Sequence, residues 1–356
     1  SFDQNRGCWD LFLYEDIKRV LQDHTTFSSR KDSSRVDSIV SMDPPDHTLF
    51  RSFISDSFKP KKINLLVEDI QRNTDLLLND FVSSKKLEII NEIAYPLPIR
   101  IIAKLLGLPI EDYKLFQKWS QSIVNRPNTN DSNSYQNNLR QVTKSVMEMD
   151  KYFKDIVLNK RVYPKDDIIS HLASIKVNSS LIEDKTLYAL IRTILVAGNE
   201  TTANLIGNSV VSLLENPNIL LQIQRDFSLL PIAVEEVLRY RSPVQCLVRT
   251  ATVDVEIGGK QIKKGQEIVI WIGSANRDES IFYDSDSFRL DRVSNPHLDF
   301  GFGIHRCIGA PLARLETKIV LTNLLKRFPN MNFRGDAPRK ISNFFVCGYD
   351  KINVSL

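Results

Sequence analysis

The chain has 356 residues, 42% of them hydrophobic and 25% charged, with a formal net charge of +4 at neutral pH. That balance excludes a disordered polymer and leaves enough apolar residues for a large buried core. The small charge, without any alternation of Lys/Arg and aromatics, gives no base-stacking groove and excludes a nucleic-acid partner. Clusters such as Lys59-Pro60-Lys61-Lys62 read as solvated surface. No run of about twenty apolar residues is present, so no membrane-spanning helix is expected. The four cysteines, Cys8, Cys246, Cys307 and Cys347, lack disulfide or zinc spacing. That fits a reducing, cytoplasmic compartment with three ordinary thiols and one ligand. The chain opens at Ser1 without a methionine, and an N-terminal stretch is expected to be missing.

In chain order, Ser1 to Leu13 read as two short strands, with Trp9, Leu11 and Leu13 alternating against polar neighbours. Glu15 to Asp23 reads as a short amphipathic helix, followed by a Ser- and Asp-rich loop from Ser28 to Ser41. Helices are then predicted over Pro45–Phe58, Lys61–Val82, Leu97–Leu106, Ile110–Val124 and Asn137–Asn159. The polar stretch Asn125–Asn138 is read as a loop able to serve as a lid. Leu181 to Glu215 is the longest apolar-periodic segment, long enough to cross the molecule, and Pro231 to Tyr240 makes a further helix. After Pro243 the pattern turns strand-like over Val248–Ile257 and Gln261–Ile272, with Gly258-Gly259 as the turn between them. The tail from Ser342 to Ser355 is again strand-like. The expected architecture is mostly α with a smaller β-rich region (α+β), a single domain over residues 1–356.

The most informative segment is Phe300-Gly301-Phe302-Gly303-Ile304-His305-Arg306-Cys307-Ile308-Gly309. Its glycines allow a tight turn and a close approach to a flat ligand, and hold one sulfur in a fixed direction. The next residues, from Ala310, read as a helix. Free N–H groups at its start favour a thiolate. Such a thiolate suits a soft metal with an open face, haem iron being one case. Earlier, Ala197-Gly198-Asn199-Glu200-Thr201-Thr202 interrupts the long apolar helix with two small residues, an acid and hydroxyls. Ala197 and Gly198 would let a planar group approach, and the Gly–Thr combination invites a bulge in the helix. From these residues alone two readings stand level. Glu200 is a buried proton-moving acid beside a working hydroxyl, or it faces solvent while Thr201 back-bonds to a carbonyl. Glu236 and Arg239, three apart, read alone as a surface ion pair.

Together these segments resemble the cytochrome P-450 monooxygenases. Phe300 to Gly309 matches every fixed position of that family's Phe-Gly-x-Gly-x-His-x-Cys-x-Gly haem loop. The resemblance covers nearly the whole chain, in the order of the soluble bacterial or archaeal members, with the family's first helix absent. It implies haem b held between a long central helix and the cysteine loop, with Cys307 as the iron ligand and Phe300 and Gly309 framing it. It also implies that His47, Arg51, Arg249 and His305 meet the haem propionates. Ala197 and Gly198 would lie over the ring. Thr201 would donate a hydrogen bond to dioxygen and Glu200 would relay protons. Glu236, Arg239 and an arginine expected at Arg292 would form the family's structural Glu-x-x-Arg lock. Leu290, where many relatives carry proline, is a departure from the pattern.

The function so implied is insertion of one atom of O2 into an apolar organic substrate. Electrons would come from NAD(P)H through a separate ferredoxin- or flavodoxin-type partner, docking near Arg306 and Lys318. The segments Ser28–Ser41, Asn125–Asn138, Val244–Leu247 and Phe344–Cys347 would line the substrate pocket. A peroxide-driven peroxygenase, and a non-catalytic haem carrier or sensor, are the alternatives.

Overall fold

The computed structural model describes residues 1–30, 38–124 and 132–356. The molecule is organised around one helix, Asp184–Glu215, of 32 residues, about 48 Å long at the usual rise per residue. Most of its residues are buried, on every face, as expected of a helix whose apolar residues are not confined to one stripe. Helices Pro96–Leu106, Tyr113–Val124, Ser132–Val162 and Ala310–Arg327 pack on it directly. With Val67–Asn79 and Leu230–Tyr240 they enclose the larger apolar core, in which Leu97, Ile101, Leu195, Ile206, Leu238 and Leu324 are almost wholly buried.

The β-rich region is a five-stranded sheet in the order Phe2–Asp3, Cys8–Leu11, Glu267–Ile270, Leu247–Ala251, Phe27–Ser28. Its central pair is antiparallel, with Ile268 opposite Arg249 and Ile270 opposite Leu247. Ile17, Phe27, Ile268 and Ile270 form a second core beneath it.

The expected strands at the start and the helix Tyr14–Gln22 are observed. The predicted Lys61–Val82 helix is broken into Pro60–Asn64 and Val67–Asn79. The two long strands after Pro243 are each divided. Leu247–Ala251 pairs with Glu267–Ile270, while Val255–Ile257 and Lys260–Ile262 form a separate hairpin around Gly258-Gly259. Both glycines have positive φ, as that turn requires.

The lid expected over Asn125–Asn138 falls in two parts. Residues 125–131 lie outside the described residues, and from Ser132 the chain is already in the 31-residue helix to Val162. Polar Asn and Ser lower helix propensity by only a few tenths of a kcal/mol each. No Gly or Pro follows Pro127 to stop the helix before Pro164. Helices Ile168–Ser174 and Pro217–Arg225 were not expected. Among the described residues, no helix is long and apolar enough to cross a membrane.

Candidate active site

The cysteine loop is built as its glycines require. Gly301 and Gly303 both have φ of +69°, a conformation that residues with a Cβ rarely adopt. A Cβ on Gly303 would also lie 2.6 Å from the Leu21 carbonyl oxygen, so the loop is pressed against the Tyr14–Gln22 helix. The Cys307 N–H donates to the Phe300 carbonyl at 2.7 Å, closing the loop. Gly303–His305 forms one 3₁₀ turn inside it. Phe300 is fixed from outside by the Arg314 guanidinium, 4.4 Å from the ring centroid.

Cys307 is the one exposed cysteine of the four, although protein atoms stand close around its sulfur. That crowding raises the thiol pKa, and the Gly309 and Ala310 N–H groups and Arg51 offset it only in part. A bound metal cation would favour the thiolate form.

Around the loop stands a set of basic groups short of partners. His47, 2% exposed, has both ring nitrogens without a hydrogen-bond partner, and His305 Nε2 is buried in the same state. The two rings are 4.2 Å apart. Burial first, then His47 and Arg249, hold the His305 pKa down at about 3. Burial and Arg51 push His47 down as well. Arg51 spans from its helix, Asp46–Ser55, to the Arg306 carbonyl at 2.5 Å. Arg249, on the central strand pair, is 7% exposed and depressed by burial to about 10. Asp43 bears on His47, His305 and Arg249, but its carboxylate already accepts from Ser28 and Ser29. His47 and His305, buried with ring nitrogens unpartnered, cost free energy unless an acceptor meets them, and Arg51 and Arg249, which donate to the Arg306 and Val248 carbonyls, bring positive charge to the same place. These four groups fit the two propionates of a haem whose iron Cys307 would bind.

On the central helix, Glu200 is 5% exposed, so the solvent-facing reading of this acid does not hold. Its Oε1 accepts from the Tyr95 hydroxyl at 2.6 Å, and Oε2 has no partner. Burial raises its pKa to about 7, against the lowering effect of that hydrogen bond. Thr201, one residue on, donates to the Ala197 carbonyl at 2.9 Å. Its hydroxyl can donate elsewhere only by turning away from that carbonyl.

The helix runs unbroken through this segment, and the expected bulge is not present. The back-bond of Thr201 is an addition to the ladder, not a replacement for one of its bonds. Ala197 is exposed, whereas Gly198 is turned to a neighbour. A Cβ there would lie 3.0 Å from Ile102 Cγ1. Helix packing is thus one reason for a glycine at this position. Gly198→Ala is accordingly expected to lower stability by about 1–3 kcal/mol through overpacking, read by urea unfolding, with the haem spectrum retained.

Glu236 and Arg239 are not on the surface: both are within 1% of complete burial. Arg239 clasps both oxygens of Glu236 at 2.8 and 2.9 Å. Arg292 joins at 2.9 Å, as the family pattern implies, and the Arg289 N–H adds a bond at 3.0 Å. The Leu290 departure leaves this lock intact. Beside it, Glu235 is held at about 2: burial works against ionisation, but hydrogen bonds from Arg314 and His297 outweigh it.

Of the segments expected to line the pocket, residues 31–37 and 125–131 lie outside the described residues, and two of the others meet. Gln245 N–H donates to the Phe345 carbonyl at 2.8 Å and Cys347 N–H to the Pro243 carbonyl at 2.9 Å, so Val244–Leu247 and Phe344–Cys347 are laced together. Ser38 bonds Thr193 of the central helix at 2.7 Å, and the Asn343 amide bonds the Val124 carbonyl at 3.0 Å. Sequence reasoning missed two residues here. Tyr95, in Ala94-Tyr95-Pro96, carries one faint signal: a buried tyrosine needs a partner for its hydroxyl. Asp299, which precedes the cysteine loop, is raised by burial to about 8 and accepts from the Val244 N–H.

Comparisons with known proteins agree with this geometry. The family model described as Cytochrome P450 matches residues 224–355. Putative cytochrome P450 YjiB of Bacillus subtilis (strain 168) is 38% identical over 359 residues, 100% of this chain and 90% of that protein. Cytochrome P450 109 of Bacillus spizizenii is 40% identical, covering 91% of this chain and 80% of its own. The crystal structure of CYP109E1 from Bacillus megaterium, in complex with testosterone, superposes with a TM-score of 0.96 at 38% identity, over 100% of this chain and 94% of that one. A cysteine loop, a cluster of basic groups and a buried acid one residue before a threonine thus occur on the fold these relatives share, and the chain belongs to the cytochrome P450 family of haem-thiolate monooxygenases.

Proposed function

We propose that this chain, acting as a single domain in the cytoplasm, binds haem b and oxygenates an apolar organic substrate, drawing electrons from NAD(P)H through a ferredoxin- or flavodoxin-type partner. The observation that carries the reading is Glu200, a buried acid raised to about 7 one residue before Thr201 on the central helix. Bound haem supplies the oxygen-activating redox chemistry. The protein's own residues hold the group and manage protons. Cys307 ligates the iron, with its loop fixed by Gly301, Gly303 and the Phe300 carbonyl, while Phe300 and Gly309 frame the sulfur. His47, Arg51, Arg249 and His305 neutralise the propionates in a site where solvent is scarce. Ala197 keeps the helix surface low above the ring.

Glu200 takes up and releases a proton near neutral pH, the range in which a general acid works best. Thr201 passes it into the cavity once its hydroxyl leaves the Ala197 carbonyl. Phe344 and Phe345, 4.1 Å between ring centroids, with Val244 and Leu247, favour an apolar ligand. The testosterone in the CYP109E1 crystals supports the same class. Arg306 and Lys318, both exposed, offer positive charge to an acidic electron donor.

Thr201→Ala is expected to keep NAD(P)H consumption within a few-fold while product per NAD(P)H falls about tenfold or more, the order of a lost proton-transfer step. Measuring product and NAD(P)H together decides it. Equal coupling in the variant would favour the peroxygenase reading, in which peroxide replaces the electron donor. A carrier or sensor would show no turnover with reductant in either protein.

A further inference from the structure

Tyr95 closes the π-helical turn Ile90–Ala94 and begins the helix from Pro96. It is 5% exposed. Its hydroxyl donates to Glu200 Oε1 at 2.6 Å, and Gln121, in the helix Tyr113–Val124, lies close enough to act on that hydroxyl. Three elements packed on one another thus send one side chain each into a line, Gln121 to Tyr95 to Glu200. Sequence position gives no reason for this meeting, since Tyr95 and Glu200 are 105 residues apart.

We propose that Tyr95 is the positioning residue of the proton-donating acid: it fixes one carboxyl oxygen of Glu200 through Oε1 and leaves Oε2 as the atom that takes and gives up the proton. The proposal rests on the reading of Glu200 as that acid.

The physical case has two parts. A side-chain carboxyl has a free terminal torsion, and a single short hydrogen bond from a buried, immobile phenol removes most of that freedom. Oε2 is buried and unpartnered, so the two oxygens are not equivalent, and the proton is directed to one of them. The same bond favours the ionised form. Burial and Tyr95 are the influences on Glu200, and Asp350, from the strand Tyr349–Lys351, acts on Tyr95 in turn. Tyrosine itself stays protonated, pushed far up by burial and by Glu200. It is a fixed donor and not a second acid.

The test uses holoenzyme carrying isotope-labelled glutamate, with the carboxyl C=O band followed by infrared difference spectroscopy across pH and identified by its loss in Glu200→Gln. In Tyr95→Phe the titration midpoint is expected to rise by about one pH unit, the order set by loss of a hydrogen bond to a carboxylate. Product per NAD(P)H falls several-fold. Gln121→Leu, which touches only the oxygen of Tyr95, moves the midpoint in the same direction by less, and serves if Tyr95→Phe folds poorly. Tyr95→Phe combined with Glu200→Gln couples no worse than Glu200→Gln alone, because Tyr95 acts through Glu200. A midpoint unmoved in both Tyr95→Phe and Gln121→Leu, or additive losses in the double variant, overturns the proposal while leaving Glu200 as the acid. Unchanged coupling in Glu200→Gln removes the reading beneath it, and the proposal falls with it.

Discussion

Arg239→Ala is expected to lower the free energy of unfolding by about 3–5 kcal/mol, the cost of stripping one partner from a buried ion pair. Arg239 is completely buried. Besides Glu236, it serves the carbonyls of Asn276, Ser285 and Ser287 at 2.7 to 3.0 Å. Alanine would leave those three acceptors without the charged donor and a guanidinium-sized void among them. Glu236 would keep Arg292, the Arg289 N–H and Asn295, so the residual charge is only partly compensated. Because this network ties the helix Leu230–Tyr240 to the irregular segment leading into the cysteine loop, haem retention is expected to weaken with stability. Arg239→Lys should recover little, since an ammonium cannot reproduce the planar fork that reaches the carboxylate and the carbonyls together. Urea unfolding followed by circular dichroism measures the loss. A cost below about 1 kcal/mol, the range of a surface pair, would mean that the lock contributes little.

Cys307→Ser has the largest expected effect on activity and a small one on stability. The backbone of the loop is held by the Cys307 N–H to Phe300 bond and by two positive-φ glycines, none of which needs sulfur. The residue is exposed, so little packing is lost. Thermal stability of the metal-free protein should therefore move by no more than about 1 kcal/mol. Turnover should fall at least about a hundredfold, because a serine oxygen does not supply the electron density that a thiolate gives to haem iron. Comparing unfolding of the two metal-free proteins with turnover of the two loaded ones separates the effects. A serine variant that turned over as fast as the parent would contradict the assignment of the ligand.

The parts of the site that were legible in the sequence are local ones. The cysteine loop announces itself because glycine, cysteine and histidine at fixed spacing have few other uses, and the structure gives that loop the strained turns its glycines suggested. The long central helix was legible from apolar periodicity, and the β-rich region from alternating residues after Pro243. What the sequence hid depends on distant contact. The buried Glu200 meets Tyr95 from 105 residues away, and Gly198 faces Ile102 on another helix, a neighbour that helical spacing does not reveal. The pairing of Glu236 with Arg239 looked like a surface contact because three-residue spacing carries no information about depth. Only the first turns of the helix from Ser132 were read as loop, Asn137–Asn159 being expected as helix, because Asn and Ser dominate that stretch and composition alone does not separate a polar helix start from a turn-rich segment.

The most direct test of the account is the absorption spectrum of the purified, haem-loaded protein after reduction and exposure to carbon monoxide. If Cys307 binds the iron as a thiolate, the Soret band of the adduct lies at the strongly red-shifted position that sulfur ligation produces, and Cys307→Ser abolishes it. A protein that takes up no haem, or an adduct in the parent with the unshifted band of a nitrogen-ligated haem, would contradict the account at its centre.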